Sequence, residues 1–162
     1  MADEGTLRLE RVLEPTDAVY ALIGELDAEL AAEYSPEQRH GLTVRDIFQP
    51  HVRFFVAYAD DVPAGCGGVA LFADFAELKR MYVRPAARGR GVADALVGRL
   101  IEETQAVGLR ILRLETGTRQ RAAMRFYARH GFERCEVFGP YASLPRPAIR
   151  ESFFMEKRLS GA

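Results

Sequence analysis

The chain has 162 residues, 48% hydrophobic and 28% charged, ordinary values for one globular domain spanning 1–162. Its 22 basic and 23 acidic side chains leave a formal charge of −1, so no net positive field recruits nucleic acid or an anionic membrane. Cys66 and Cys135 make no disulfide framework, Met1–Gly5 is acidic and polar unlike a signal peptide, and no apolar run approaches the roughly eighteen residues of a membrane span. A cytoplasmic location is the expectation.

Leu7, Leu9 and Val12, separated by charged residues, predict a first strand over Thr6–Leu13. Pro15-Thr16-Asp17 then caps a helix whose apolar stripe is Val19, Leu22, Ile23, Leu26 and Leu30. Ser35-Pro36-Glu37-Gln38 is a capping-box pattern that opens a second, short helix, and Thr43–Phe48 continues it after a break at Gly41. Val52–Ala59 and Ala64–Phe72 read as strands joined by a turn at Asp60-Asp61. Gly65, Gly67 and Gly68 in the return strand point to a bulge or a close backbone approach. A strand over Ala76–Val83 follows.

The segment Arg88-Gly89-Arg90-Gly91-Val92-Ala93-Asp94 then separates that strand from a strongly helical run, Ala95–Val107, which Gly108 ends. A glycine-rich loop opening a helix is suited to an anion, because the first helical N–H groups have no partner inside the helix. Two arginines add positive charge, so a phosphate-bearing ligand is expected. No Gly-Lys-Ser/Thr run exists, which disfavours a nucleoside triphosphatase. Asp94 stands where a dinucleotide fingerprint needs its third glycine, although Glu115, roughly twenty residues on, keeps a nicotinamide reading open.

Leu109–Thr116 reads as the next strand, Arg119–His130 as a helix closed by Gly131, and Phe132–Val137 as a strand. Gly139–Pro147 is expected to be a long loop before the last strand, Ser152–Leu159. Seven strands, a meander followed by β-α-β-α-β, predict an α/β fold with one mixed sheet and helices on both faces. His40, His51 and His130 show no metal-ligand spacing, and no metal is expected.

Arg88-x-x-Gly91-x-Ala93 resembles the R/Q-x-x-G-x-G/A signature of the GNAT (GCN5-related N-acetyltransferase) family, and its neighbours extend the likeness. Glu77–Pro85 is similar to that family's fourth strand, and Gln120-x-x-Ala123-Met124-x-Phe126-Tyr127-x-x-x-Gly131-Phe132 to its second core motif. The resemblance implies a V-shaped splay between the fourth and fifth strands that admits the pantetheine arm of acetyl-CoA. It implies a direct acetyl transfer to a primary amine of a small molecule, or of a peptide or protein. A non-catalytic acyl-CoA sensor is the alternative from another class. A homodimer is left open.

Carried over residue by residue, the resemblance implies that Arg88, Gly89, Arg90, Gly91, Val92 and Ala93 hold the pyrophosphate. Main-chain N–H groups of Met81, Tyr82 and Val83 meet the oxyanion on a bulged strand. Tyr127, four residues before Gly131, is the expected proton donor to the departing thiolate; simple packing beside Phe126 is the rival reading. Glu77, eleven residues before Arg88, is the expected base, an exposed strand charge being its rival. Gln120 is expected to bond the pantetheine or to be a surface residue. Tyr34, Tyr141 and Ser152 are expected to line the acceptor pocket. Cys66, between Gly65 and Gly67 and with no histidine nearby in sequence, reads as structural rather than nucleophilic.

Overall fold

The computed structural model describes residues 5–160; Met1–Glu4, part of the polar N-terminal segment, lie outside the described residues. The strands are β1 (Leu7–Val12), β2 (Val52–Ala59), β3 (Val62–Leu71), β4 (Ala76–Val83), β5 (Ile111–Gly117), β6 (Glu133–Arg134) and β7 (Ser152–Arg158). The helices are α1 (Asp17–Glu33), α2 (Val44–Ile47), α3 (Val92–Ala106), α4 (Arg121–Arg129) and α5 (Arg146–Ile149). All seven strands join one mixed sheet in the order β1-β2-β3-β4-β5-β7-β6, as expected for the α/β class. Among the described residues only β4 and β5 are parallel neighbours, joined by the crossover through α3.

Alternation along β2 assigns its side chains to two cores. Phe54 and Val56 pack with Val19, Leu22, Ile23 and Leu26 of α1 on one face. Phe55 and Ala57 belong to the other core, with Leu96, Val97 and Leu100 of α3 and Tyr127 of α4. The α1 stripe expected from the sequence is the buried one, and the Thr16 hydroxyl caps the helix by accepting from the Val19 N–H at 3.3 Å. Asp60 and Asp61 both take positive φ, 51° and 63°, the conformation of a tight two-residue hairpin turn.

Three expectations need correction. Helix α3 starts at Val92, not Ala95, so Val92, Ala93 and Asp94 form its first turn rather than loop. The strand expected over Phe132–Val137 pairs only at Glu133 and Arg134, because Phe138 leaves the sheet edge to pack edge-on against Tyr141 and Phe154. Gly139–Pro147 is not a structureless loop: a 3₁₀ turn, Gly139–Ser143, and the start of α5 occupy it, each with proline in its first turn.

Candidate active site

β4 bulges against β3 and parts early from β5. Its register with β3 runs Cys66↔Tyr82 and then Gly68↔Lys79, so Arg80 and Met81 together oppose Gly67. Arg80 sits at φ 56°, a bulge conformation unusual for a residue with a side chain. The facing glycines permit this approach, since a Cβ at Gly65 would stand 2.6 Å from the Tyr82 carbonyl oxygen. On the other side β4 pairs with β5 only through Ala76↔Leu112 and Glu77↔Arg113. From Leu78 to Val83 the β5-facing edge therefore has no strand partner, and a notch opens there.

One cavity, of about 430 Å³, lies at the mouth of this notch. Met81, Tyr82, Val83, Arg88, Ala93, Gln120 and Tyr127 of the expected cofactor residues line it. Gly91, at φ 79°, is the N-cap of α3, and the first helical bond runs from the Ala95 N–H to the Gly91 carbonyl at 3.0 Å. The N–H groups of Val92, Ala93 and Asp94 precede that bond and have no partner within the helix. A Cβ at Gly89 or Gly91 would meet nothing within 4 Å, so the space in front of this turn is open. Gly89, Arg90 and Gly91 are exposed and lie outside the cavity lining, while the Val92 side chain is core. Arg88 pairs with Glu29 at 2.9 Å and Arg90 with Asp60 at 3.2 Å, so both guanidiniums are partly neutralised by exposed carboxylates. Arg119 and Arg121, ahead of and within α4, line the same cavity.

A second cavity, of about 130 Å³, shares Leu26, Met81, Gln120, Ala123 and Tyr127 with the first and reaches toward β5. Glu77, only 4% exposed, lines it. Its Oε2 accepts from the Tyr141 hydroxyl at 2.6 Å and from Lys79 Nζ at 3.2 Å. Lys79 Nζ also donates to Tyr141 Oη at 3.0 Å and to the His40 carbonyl at 3.3 Å, which uses all three of its N–H groups. Glu115, on β5, accepts from the Ser152 hydroxyl at 2.6 Å. Burial pushes the Glu115 carboxyl above its ordinary value; the Ser152 bond and the charges of His40 and Lys79 oppose this, and Glu77 adds to it.

Tyr34 lines the second cavity, its hydroxyl accepting from the Arg119 N–H at 2.9 Å. Tyr141 and Ser152 do not line it; they stand behind its wall as donors to Glu77 and Glu115. Gln120 turns its Oε1 back onto Thr116 Oγ1, at 3.0 Å, and the Gly117 N–H, at 3.2 Å. Its amide nitrogen is left for another acceptor.

The profile of the Acetyltransferase (GNAT) family matches residues 19–132. The chain belongs to that family. It is 40% identical over 145 residues to the IAA acetyltransferase of Azospirillum brasilense, covering 88% of this chain and 92% of that protein. It is 32% identical over 139 residues to the N-acetyltransferase YedL of Escherichia coli, covering 84% and 86%. A Klebsiella pneumoniae crystal structure described as an acyl-CoA N-acyltransferase superposes with a TM-score of 0.75 at 28% identity, over 96% of this chain and 99% of that one.

This GNAT enzyme is thus an acyltransferase, and its family generally draws on acetyl-CoA. The residues present fit such a cofactor: open space before a helix N-terminus, an unpaired strand edge and a cavity beside both. Tyr127 borders both cavities, and burial alone raises the pKa of its phenol. Cys66 lies fully buried with its Sγ 3.4 Å from the Arg80 carbonyl, its thiol pushed up to about 12 by burial, which fits the structural reading. The site also contains residues the sequence did not flag for these places: Glu115 as a cavity carboxylate, Arg39 in the lining of the same cavity, and Arg119 and Arg121 in the lining of the larger one. For Glu115 as a cavity carboxylate the sequence offers the alternation Leu112-Arg113-Leu114-Glu115, and that pattern fits any half-buried strand. Among the described residues no helix is long and apolar enough to cross a membrane.

Proposed function

We propose that this enzyme transfers an acetyl group from acetyl-CoA directly to the primary amine of a small molecule. The observation that carries this reading is the position of Tyr127, whose side chain borders both the cofactor-sized cavity and the smaller, carboxylate-lined one. A group donated on one side and accepted on the other would meet at its hydroxyl. The thioester supplies an activated acetyl group and a thiolate leaving group. An amine of pKa about 10 arrives protonated at neutral pH and must lose a proton first. Glu115 is the proposed acceptor of that proton, directly or through water. It has no cationic partner among the described residues, whereas Glu77, the carboxylate expected from sequence, is already bridged by Lys79 and Tyr141.

N–H groups on the unpaired edge of β4 are the proposed donors to the carbonyl oxygen. Tyr127, kept protonated by burial, is the proposed donor to the departing sulfur. The α3 N-terminus would hold the pyrophosphate through the N–H groups of its first turn and the helix dipole. The decisive experiment is free-thiol release from acetyl-CoA across a panel of amines, amino acids and polyamines, run beside thermal stabilisation by CoA and by NAD. A ligand at a hundred times its dissociation constant stabilises by about 2.7 kcal/mol, which is readily measured. Stabilisation by CoA with amine-dependent thiol release is expected. Stabilisation without turnover across the whole panel would leave an acyl-CoA sensor, and stabilisation by NAD alone would restore the nicotinamide reading.

A further inference from the structure

Charge matching in the acceptor cavity is incomplete, and the two unmatched groups have opposite signs. Besides His40, five acidic or basic side chains line it: Arg39, Glu77, Lys79, Arg80 and Glu115. Glu77 and Lys79 neutralise each other at 3.2 Å, and Lys79 has no N–H left to offer. Arg80 is paired with Asp27, and its side chain is only 4% exposed, so it is closed to a ligand. Arg39 and Glu115 remain.

Arg39 follows the 3₁₀ turn Pro36–Gln38 between α1 and α2, and its Nε donates weakly to the Ser35 carbonyl at 3.4 Å. Among the described residues no carboxylate lies within 4.0 Å of its guanidinium, so its terminal nitrogens lack an anionic partner. Glu115, on β5, has only the Ser152 hydroxyl. Two partly desolvated charges of opposite sign, on different walls of one small cavity, favour a guest that carries both complements. A cation suits Glu115, which lines the same cavity as Tyr127 and Gln120, two residues that also border the first cavity. An anion with two equivalent oxygens suits the planar fork of Arg39.

We infer that the acceptor is a zwitterion, a primary amine facing Glu115 with an anionic group of the carboxylate kind held by Arg39. This rests on the acetyl-transfer reading above and narrows its substrate class. A simple polyamine would bring a second cation to Arg39, and a neutral amine would leave that guanidinium unpaired. His40 also lines the cavity, but its Nε2 donates to the Ala148 carbonyl at 2.6 Å and so is turned to the main chain.

The test uses amino acids with one to four carbons between amine and carboxylate, each set against its own amide, with aminoalkylphosphonates as a third arm and diamines as a fourth. Thiol release from acetyl-CoA and calorimetric binding to the CoA-loaded enzyme are both read. At the best spacing the acid should exceed its amide at least tenfold in kcat/KM, mainly through KM. Arg39→Gln should collapse that ratio toward one, and Arg39→Lys should restore part of it. Preference for the phosphonate over the carboxylate supports the zwitterion and identifies its anion. Equal use of acid and amide, preference for diamines, or an unchanged ratio in Arg39→Gln overturns it. Thiol release without discrimination overturns the zwitterion while the transfer reading stands. Discrimination in binding without thiol release keeps the zwitterion and removes the transfer reading.

Discussion

The cavity beside α3 lies next to two main-chain features, the unpaired edge of β4 and the α3 N-terminus, with Glu29, Arg88, Arg119 and Arg121 around it. The cavity beside β5 is instead walled by ionised side chains from the α1–α2 connection, β4 and β5. Main-chain N–H groups are always protonated and hardly change with substitution, so the first wall can serve one invariant ligand. Side-chain charges are rewritten by single substitutions, so the second wall is where one acceptor can be told from another.

The comparison breaks most sharply at Gly91. Gly91→Glu puts a carboxylate in the open space before the α3 N-terminus, at φ 79° where a side chain costs about 1–2 kcal/mol. CoA affinity should fall by a hundredfold or more, measured by calorimetry, while circular dichroism still reports a folded protein. Unchanged affinity would remove the cofactor from this turn. Next in size is Tyr127→Phe, which deletes one hydroxyl where the two cavities meet. Turnover should fall about a hundredfold or more while CoA binding holds. Full turnover would make Tyr127 a packing residue.

The third prediction sharpens the contrast by pH. Burial raises the Glu115 carboxyl, so its loss of a proton, and the rise of kcat/KM with it, should fall above the ordinary glutamate value of about 4.3. Glu115→Gln should lower the rate and erase that limb, whereas Glu77→Gln should leave a limb in place. The reverse pattern would return the base to Glu77. The sign for stability is opposite. A carboxyl that binds its proton more tightly when folded costs stability once pH exceeds its raised pKa, so Glu115→Gln should melt no lower than the parent at neutral pH. The smallest effect lies away from both cavities. Gly98 in α3 has open space where a Cβ would go, and Gly98→Ala should stabilise by about 0.4–1 kcal/mol without changing kcat/KM. Loss of stability there would mean the helix face is packed more closely than described.

The wall proposed for the cofactor could be read as a unit because its parts are consecutive. Strand, glycine cap and helix occupy one stretch from Ala76 to Ala106, and positive φ at Gly89 and Gly91 is a requirement that only a few residue types meet cheaply. The acceptor wall was mostly illegible. Tyr141 and Ser152, expected from sequence to line the acceptor pocket, do not line the cavity; they donate to Glu77 and Glu115 from behind its wall. Arg39 looked like one more charge on a short turn. Its meaning depends on which carboxylates fail to reach it, and no local pattern encodes that.

Local sequence by itself determined the order of elements, the caps of α1 and α3, the two-faced alternation of β2 and the anion-ready turn at Gly91. Each follows from periodicity or backbone sterics acting over a few residues. Only the tertiary structure decided that β4 and β5 part after two residue pairs, and that Lys79 spends itself on Glu77, Tyr141 and His40. It also decided that Glu115 and Arg39 are left to face one small cavity. Hydrogen bonding across 36 to 64 residues of chain, as between Asp94 and His130 or Glu77 and Tyr141, is set by how sheet and helices pack, which short-range preference does not reach.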